Sequence, residues 1–146
     1  MGLINSSLVR ALNKKNFFKT SIATSRSKKT LKTVQNLKIV DIVETDYIAA
    51  VKDADLIVIG IPVKAYEQVL RKIAKFLKPG AIITDVGSVK LNIIKQVNSL
   101  IPKNVSFVPG HPIAGTENSG PEAGFKGLFD KGWCILTPSP KLEKKK

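Results

Sequence analysis

The 146-residue chain contains one cysteine, Cys134, and one histidine, His111. A single cysteine cannot form a disulfide within the chain, and this pair cannot supply a Cys/His set at zinc-ligand spacing. The longest apolar runs fall far short of the roughly 20 residues that a membrane-spanning helix requires. We therefore expect a reducing, cytoplasmic setting, no protein-built metal site and no membrane partner.

Acidic residues are absent from residues 1–40, which carry nine Lys or Arg and most of the formal net charge of +13. Residues 41–140 are nearly balanced, with eleven basic and ten acidic residues, and a Lys-rich tail follows at 141–146. Nucleic-acid binding gains from a continuous basic surface and from aromatic side chains that stack on bases. Because only 6% of the residues are aromatic, we expect no nucleic-acid partner.

Two targeting signals fit the N-terminal residues loosely. The acid-free start, rich in hydroxyl and basic side chains, has the composition of an organellar transit peptide. Gly2 followed by serine at the sixth position matches a short myristoylation pattern. Both patterns are loose, and the same residues also fit a dinucleotide-binding turn, described below.

Strand and helix patterns alternate along the middle of the chain. The β-branched run 56–61, closed by Pro62, predicts a strand buried on both faces, and residues 65–77 have the three-and-four spacing of an amphipathic helix. A strand at 81–86, a helix at 89–101 and a strand at 107–108 follow. Weaker patterns predict a strand at 21–25 between helices near 7–15 and 28–36, and a short helix capped by Asp46.

This alternation predicts an α/β fold, with βαβ crossovers and an open parallel sheet in one domain over residues 1–140. In such sheets ligands bind at the carboxyl ends of the strands. We therefore expect one edge of the sheet to carry the candidate site residues Ser25, Pro62, 85–88 and His111.

Two segments are candidates for holding a dinucleotide. Gly2, Leu3 and Ile4 could form the turn in which a pyrophosphate meets a helix N-terminus, with Asn5 where a third glycine is usual. About 20 residues later an acid would bind the ribose of NAD, whereas an arginine accommodates the 2′-phosphate of NADP. Arg26 stands there, between Ser25 and Ser27. The alternative is a solvated basic loop in which Ser27 caps the next helix.

Two further residues are candidates for chemistry. Ser88 lies at a strand-to-helix junction, where capping of the helix is the favoured role and ligand contact is the alternative. His111 lies in a Gly/Pro-rich loop at a strand end. A lone histidine is usually structural, but a loop histidine at the ligand edge is a candidate general acid or base.

Four motifs, 85–90 (DVGSVK), 110–117 (GHPIAGTE), 119–123 (SGPEA) and 136–138 (LTP), occur in an order that closely resembles the nucleotide-binding half of the prephenate/arogenate dehydrogenase family. Gly2, Leu3 and Ile4 also resemble the dinucleotide turn of that family. The resemblance implies a Rossmann-like doubly wound sheet. It further implies oxidative decarboxylation of prephenate or arogenate in tyrosine biosynthesis, with NADP as cofactor and NAD as the other possibility.

The resemblance also implies roles for individual residues. His111 would be the base that polarises the substrate hydroxyl, and Ser88 would help to hold that hydroxyl near the nicotinamide. Pro62 and Val63 would line the nicotinamide. The remaining cofactor-binding candidates are Gly2, Leu3, Ile4, Ser25, Arg26 and Ser27.

The resemblance also implies a first strand before the glycine turn and a C-terminal helical domain through which the family forms homodimers, and we expect this chain to lack both. We therefore expect a truncated dehydrogenase. A nucleotide-binding or vestigial module without turnover is the alternative, and a basic nucleic-acid binder is a third hypothesis.

Overall fold

The computed structural model describes residues 1–138, so the predicted basic tail at 141–146 lies outside the described residues. The described helices are α1 (Leu3–Asn13), α2 (Lys28–Asn36), α3 (Tyr47–Val51), α4 (Tyr66–Ile73) and α5 (Leu91–Leu100). The strands are β1 (Ile22–Thr24), β2 (Ile42–Glu44), β3 (Leu56–Ile59), β4 (Ile82–Asp85), β5 (Ser106–Val108), β6 (Gly110–Ile113) and β7 (Trp133–Leu136). Helices and parallel strands alternate, which confirms the α/β class.

The described strands form three sheets. β1 pairs in parallel with β2, so that Ala23 lies opposite Val43. β3, β4 and β5 form a three-stranded parallel sheet with β4 in the centre. β6 pairs with β7. The parallel pairs are joined by helical crossovers, as in Rossmann-like folds.

The chain divides into two compact units. The first unit comprises residues 1–50 and 112–133, and the second comprises residues 51–111 and the segment from Cys134 onward. In the first unit, Ala23, Val34 and Ile39 form a buried core against which Met1, Val9, Val40 and Val43 pack. In the second unit, α4 packs against α5. The buried side chains there include Leu70, Ile73, Ile83, Ile93, Val97 and Phe107.

Most predicted elements are confirmed with shorter bounds. The helix predicted at 65–77 is α4, flanked by two 3-10 turns at Val63–Ala65 and Ala74–Phe76. Asp46 accepts the Ile48 N–H at 3.2 Å, as expected of a residue capping α3. No helix within residues 1–138 is long and apolar enough to cross a membrane.

Three predictions are wrong. β3 is not buried along its whole length, because Leu56 at its start is 44% exposed whereas Ile59 at its end is 6% exposed. α5 begins at Leu91, so Ser88 does not cap it, and Lys90 holds the N-cap position without a side-chain cap. His111 lies in strand β6 rather than in a loop, because the chain pairs with β7 directly after Pro109.

Candidate functional site

In the first unit, the N-terminus of α1 is the candidate pyrophosphate site. Gly2 is the N-cap residue, in an extended conformation, and its carbonyl accepts the Ser6 N–H at 2.9 Å. No side chain caps the helix and its first turn carries no acid. A Cβ built on Gly2 meets no atom within 4 Å. This helix end therefore combines open space with the positive end of the helix dipole, and it fits an anionic group.

The loop from Ser25 to Ser27 follows β1 directly and precedes α2. Ser27 Oγ accepts the Thr30 N–H at 3.1 Å, which confirms that Ser27 caps α2. Ser25 Oγ accepts the Ser27 N–H at 3.3 Å. Arg26 is exposed, and within residues 1–138 no carboxylate pairs with it. The two serines thus shape the loop while the guanidinium stays available to an anion.

Two buried serines, which sequence reasoning missed, hold a distant loop against α1. Ser6 Oγ donates to the Pro121 carbonyl at 2.7 Å, and Ser7 Oγ accepts the Phe125 N–H at 3.1 Å. Both serines are 0% exposed. Gly124 lies so close that a Cβ there would stand 2.7 Å from Ser6 Cβ. Two adjacent serines in an otherwise amphipathic helix were the signal that could have revealed them.

In the second unit, three segments leave the sheet at one edge. β3, β4 and β5 run parallel, with Ile59 opposite Asp85 and Thr84 opposite Val108. Because parallel strands share their carboxyl edge, the segments that follow them emerge on the same side of this sheet. These segments contain Pro62 and Val63 after β3, Asp85 to Ser88 at the end of β4, and His111 after β5.

The carboxylate of Asp85 connects two of these segments. Its Oδ2 accepts the Gly87 N–H at 3.0 Å and the Lys90 ammonium at 2.7 Å, and its Oδ1 accepts the Gly110 N–H at 3.1 Å. Asp85 is 1% exposed. Sequence reasoning placed Asp85 at the ligand edge but missed this network, because the partners lie up to 25 positions away.

Tyr66, on α4, gives Asp85 a further donor. The Tyr66 hydroxyl donates to Asp85 Oδ2 at 3.2 Å, and the residue is 0% exposed. Burial raises the pKa of Tyr66 well above its ordinary value, and the nearby Asp85 carboxylate raises it further. The phenol therefore stays protonated and remains a hydrogen-bond donor at neutral pH.

Ser88 and His111 follow the two glycines that Asp85 binds. Ser88 is exposed, and its hydroxyl makes no hydrogen bond to another residue in the described part of the chain. His111 is half-buried in β6, between the buried residues Gly110 and Pro112. No described residue within 1–138 forms a hydrogen bond with its imidazole. Both side chains are thus free to meet a ligand.

The structure therefore divides the predicted site residues between the two units. Ser88, His111, Pro62 and Val63 lie in the second unit, with the first two on segments that share a carboxylate. The remaining candidates lie in the first unit: Gly2, Leu3, Ile4, Ser25, Arg26 and Ser27. Their roles in binding and catalysis remain predictions.

Known proteins resemble this chain over most of its length. Residues 8–146 match the model of a family described as prephenate dehydrogenase, nucleotide-binding domain. The cyclohexadienyl dehydrogenase of Zymomonas mobilis is 40% identical over 138 residues, which cover 94% of this chain and 47% of that protein.

Solved structures show the same relationship. The prephenate dehydrogenase of Aquifex aeolicus, in complex with hydroxyphenyl propionate and NAD+, has a TM-score of 0.85 and 30% identity, covering 99% of this chain and 52% of that one. The arogenate dehydrogenase of Synechocystis has a TM-score of 0.84 and 30% identity, covering 98% and 51%. The chain thus spans about half the length of the relatives it matches. It belongs to the prephenate dehydrogenase family, of which it represents the nucleotide-binding domain.

Proposed function

We propose that this chain is the cofactor-binding part of an NADP-dependent dehydrogenase that oxidises and decarboxylates prephenate or arogenate in tyrosine biosynthesis. The observation that carries the proposal is the pair of hydrogen bonds from Gly87 and Gly110 to one buried carboxylate, directly before Ser88 and His111. Family membership supports the reaction class, and the ligands of the Aquifex protein support a hydroxylated ring substrate.

The residues of the first unit suit a dinucleotide. The uncapped start of α1, at Gly2, Leu3 and Ile4, would receive the pyrophosphate. Arg26 would contact the 2′-phosphate of NADP, because β1 ends without the acid that binds the ribose hydroxyls of NAD. Ser25 and Ser27 would add hydroxyl contacts, and Pro62 and Val63 of the second unit would line the nicotinamide. The bound cofactor would supply the hydride acceptor.

His111 would act as the general base. As the hydride leaves the ring carbon that bears the hydroxyl, the imidazole would remove the proton of that hydroxyl. Histidine is the side chain that most often serves as a general acid or base in enzymes, which suits this step. Ser88 would hydrogen-bond to the same hydroxyl and hold it in place. Loss of the ring carboxylate as carbon dioxide would then make the ring aromatic.

The first experiment concerns the cofactor. Calorimetric titration of the chain should show tighter binding of NADP+ than of NAD+. Arg26→Ala should weaken NADP+ binding about tenfold or more, the equivalent of about 1.4 kcal/mol, and leave NAD+ binding unchanged. Lys32→Ala, an exposed cation on α2, is the matched control. Equal affinities for the two cofactors, unaltered by Arg26→Ala, would contradict the NADP assignment.

The second experiment concerns turnover. NADPH absorbance is followed after prephenate or arogenate is added to the wild-type chain and to His111→Ala. Turnover that His111→Ala abolishes supports the dehydrogenase. NADP+ binding that His111→Ala leaves unchanged, without turnover by the wild-type chain, supports the alternative of a nucleotide-binding module.

Location and partners belong to the same proposal. We propose a cytoplasmic protein with a small-molecule substrate, a member of a family whose homodimers use a domain beyond the matched segment. The near balance of charge in residues 41–140 supports a small-molecule partner over nucleic acid. A DNA affinity that falls steeply with salt would contradict this part.

A further inference from the structure

We infer that Asp85 is a positioning residue, which sets the places of Ser88 and His111 through the backbone N–H groups of Gly87 and Gly110. This inference rests on the proposed function, in which Ser88 and His111 contact the substrate. Asp85 itself is buried beneath the sheet edge and touches no reacting atom in that function. Its side chain is 0% exposed, while that of its partner Lys90 is 17% exposed.

Both oxygens of the carboxylate are occupied. Oδ2 accepts three donors, from Tyr66, Gly87 and Lys90, at 3.2, 3.0 and 2.7 Å. Oδ1 accepts the Gly110 N–H at 3.1 Å. An ionised carboxylate offers about four acceptor positions and no donor. The four donors therefore match the number of acceptor positions on the carboxylate.

An asparagine at position 85 cannot accept all four of these hydrogen bonds. Its amide has one acceptor oxygen, which would turn toward Tyr66, Gly87 and Lys90, where three donors converge. Its NH2 group would then face the Gly110 N–H, and two donors cannot bond to each other. Asp85→Asn should therefore release Gly110, and with it His111, while Gly87 keeps an acceptor.

Two glycines allow the close approach that the carboxylate requires. A Cβ on Gly110 would lie 2.7 Å from the Asp85 carbonyl oxygen, and a Cβ on Gly87 would lie 3.0 Å from Asp85 Oδ2. Any side chain at Gly110 would thus push β6 away from the end of β4. The absence of a side chain at both positions fits their role as points of attachment.

A purely stabilising ion pair is the competing explanation. A buried pair of Asp85 with Lys90 would by itself be weak evidence of stabilisation, because desolvation of the two charges offsets their attraction. An explanation by the ion pair alone would also not account for the hydrogen bond from the Gly110 N–H to Asp85 Oδ1. The two explanations differ in what Asp85→Asn does to His111 when the chain remains folded.

The test uses nuclear magnetic resonance on the 146-residue chain, in which His111 is the only histidine and therefore gives a single imidazole Hε1 signal. In Asp85→Asn we expect that signal and the Gly110 amide signal to shift, with hydrogen exchange of the Gly110 amide at least about tenfold faster. The amide signal of Ser88 should shift less, because the neighbouring Gly87 N–H keeps an acceptor. Melting temperature is recorded separately, so that global stability and local position are distinguished.

Asp55→Asn is the matched control. Asp55 also pairs with a lysine, Lys78, at 2.6 Å, but its side chain is 86% exposed. This variant should leave the His111 and Gly110 signals unchanged. Wild-type signals for His111 and Gly110 in folded Asp85→Asn would overturn the inference.

If Asp85→Asn does not fold, Tyr66→Phe provides the milder change, since it removes one donor from Oδ2. Both the Gly87 and the Gly110 amides should then shift, because both bond to the same carboxylate. An unchanged Gly110 amide would overturn the inference. The His111 and Gly110 signals are measured without cofactor or substrate. The result of this test therefore does not depend on whether the proposed function is correct.

Discussion

The two units hold their candidate site residues in different ways. In the first unit the bonds that shape the loop after β1 are local and exposed, joining Ser25 to Ser27 and Ser27 to Thr30. In the second unit one buried carboxylate joins groups that lie 19 and 25 positions away, in Tyr66 and Gly110. A substitution in the loop at residues 25–27 should therefore alter only that loop, whereas a substitution at Asp85 should alter several segments.

The largest effect is expected from Gly110→Ala. The new Cβ would lie 2.7 Å from a backbone oxygen of Asp85, so the strand must shift and the bond from the Gly110 N–H must lengthen. We expect the free energy of unfolding to fall by about 1 to 3 kcal/mol, measured by urea denaturation. Gly115→Ala is the control, because a Cβ at Gly115 meets no atom within 4 Å. Equal stability of the two variants would contradict the close approach.

Ser6→Ala tests whether a hydrogen bond between distant residues also stabilises the first unit. The substitution leaves the Pro121 carbonyl without the hydroxyl that donates to it at 2.7 Å in a buried setting. A loss of about 1 to 2 kcal/mol in the free energy of unfolding is expected, together with faster amide exchange in residues 119–125. Ser119→Ala, at an exposed position, should change neither quantity. A neutral Ser6→Ala would show that the hydrogen bond from Ser6 to Pro121 does not stabilise the first unit.

Tyr66→Phe separates burial from hydrogen bonding in the second unit. Loss of the hydroxyl should cost about 1 kcal/mol at neutral pH. The pKa of Tyr66 is raised in the folded chain, so its contribution is present below the ordinary value of 10.0 and is lost as the pH rises above it. The stability difference between wild type and Tyr66→Phe, measured by thermal unfolding, should therefore shrink above about pH 10. A difference independent of pH would contradict this account.

The smallest effect is expected at Asp41, in the first unit. Asp41 Oδ2 accepts both the N–H and the hydroxyl of Ser21, each at 2.7 Å. These hydrogen bonds, the hydroxyl first, lower the pKa of Asp41 below its ordinary value of 3.8. The stabilisation is present above that value and is lost as the pH falls below it.

Asp41→Asn should accordingly lower the melting temperature slightly at pH 7, less than Tyr66→Phe does. The deficit should shrink progressively as the pH falls below 3.8, the ordinary pKa of this carboxyl group. Asp130→Asn, an exposed aspartate of the same unit, should show no such dependence. A deficit that persists in acid would assign the effect of Asp41→Asn to packing rather than to charge.

The periodic elements could be predicted from sequence because their signals are local. The spacing of Tyr66, Leu70 and Ile73 gave α4, and the β-branched run gave β3. β2 was missed because acidic residues stand on both sides of its apolar pair, Ile42 and Val43, so that no continuous apolar run marks the strand. The apolar run Trp133–Leu136 was not recognised as β7, because its partner β6 contains glycine and proline and was expected to form a loop.

The site was predictable only in part. Motif order located Ser88 and His111, but their surroundings depend on bonds between distant residues. Ser88 fits the pattern of a helix cap, yet the helix begins only at Leu91, after a segment in which Gly87 and Lys90 bond to Asp85. His111 follows a Pro-Gly pair that is typical of a loop, yet its segment pairs with β7, which lies more than 20 positions away.

The central claim is that one carboxylate holds the segments of both Ser88 and His111, and the wild-type chain can test it without substitution. In nuclear magnetic resonance of an isotope-labelled chain, scalar coupling across a hydrogen bond connects an amide nitrogen to the carbon of the group that accepts the bond. We predict that the Gly87 and Gly110 amides both couple to the same side-chain carbon, Cγ of Asp85. Coupling to Asp85 Cγ from neither amide, or from only one of them, would contradict the claim.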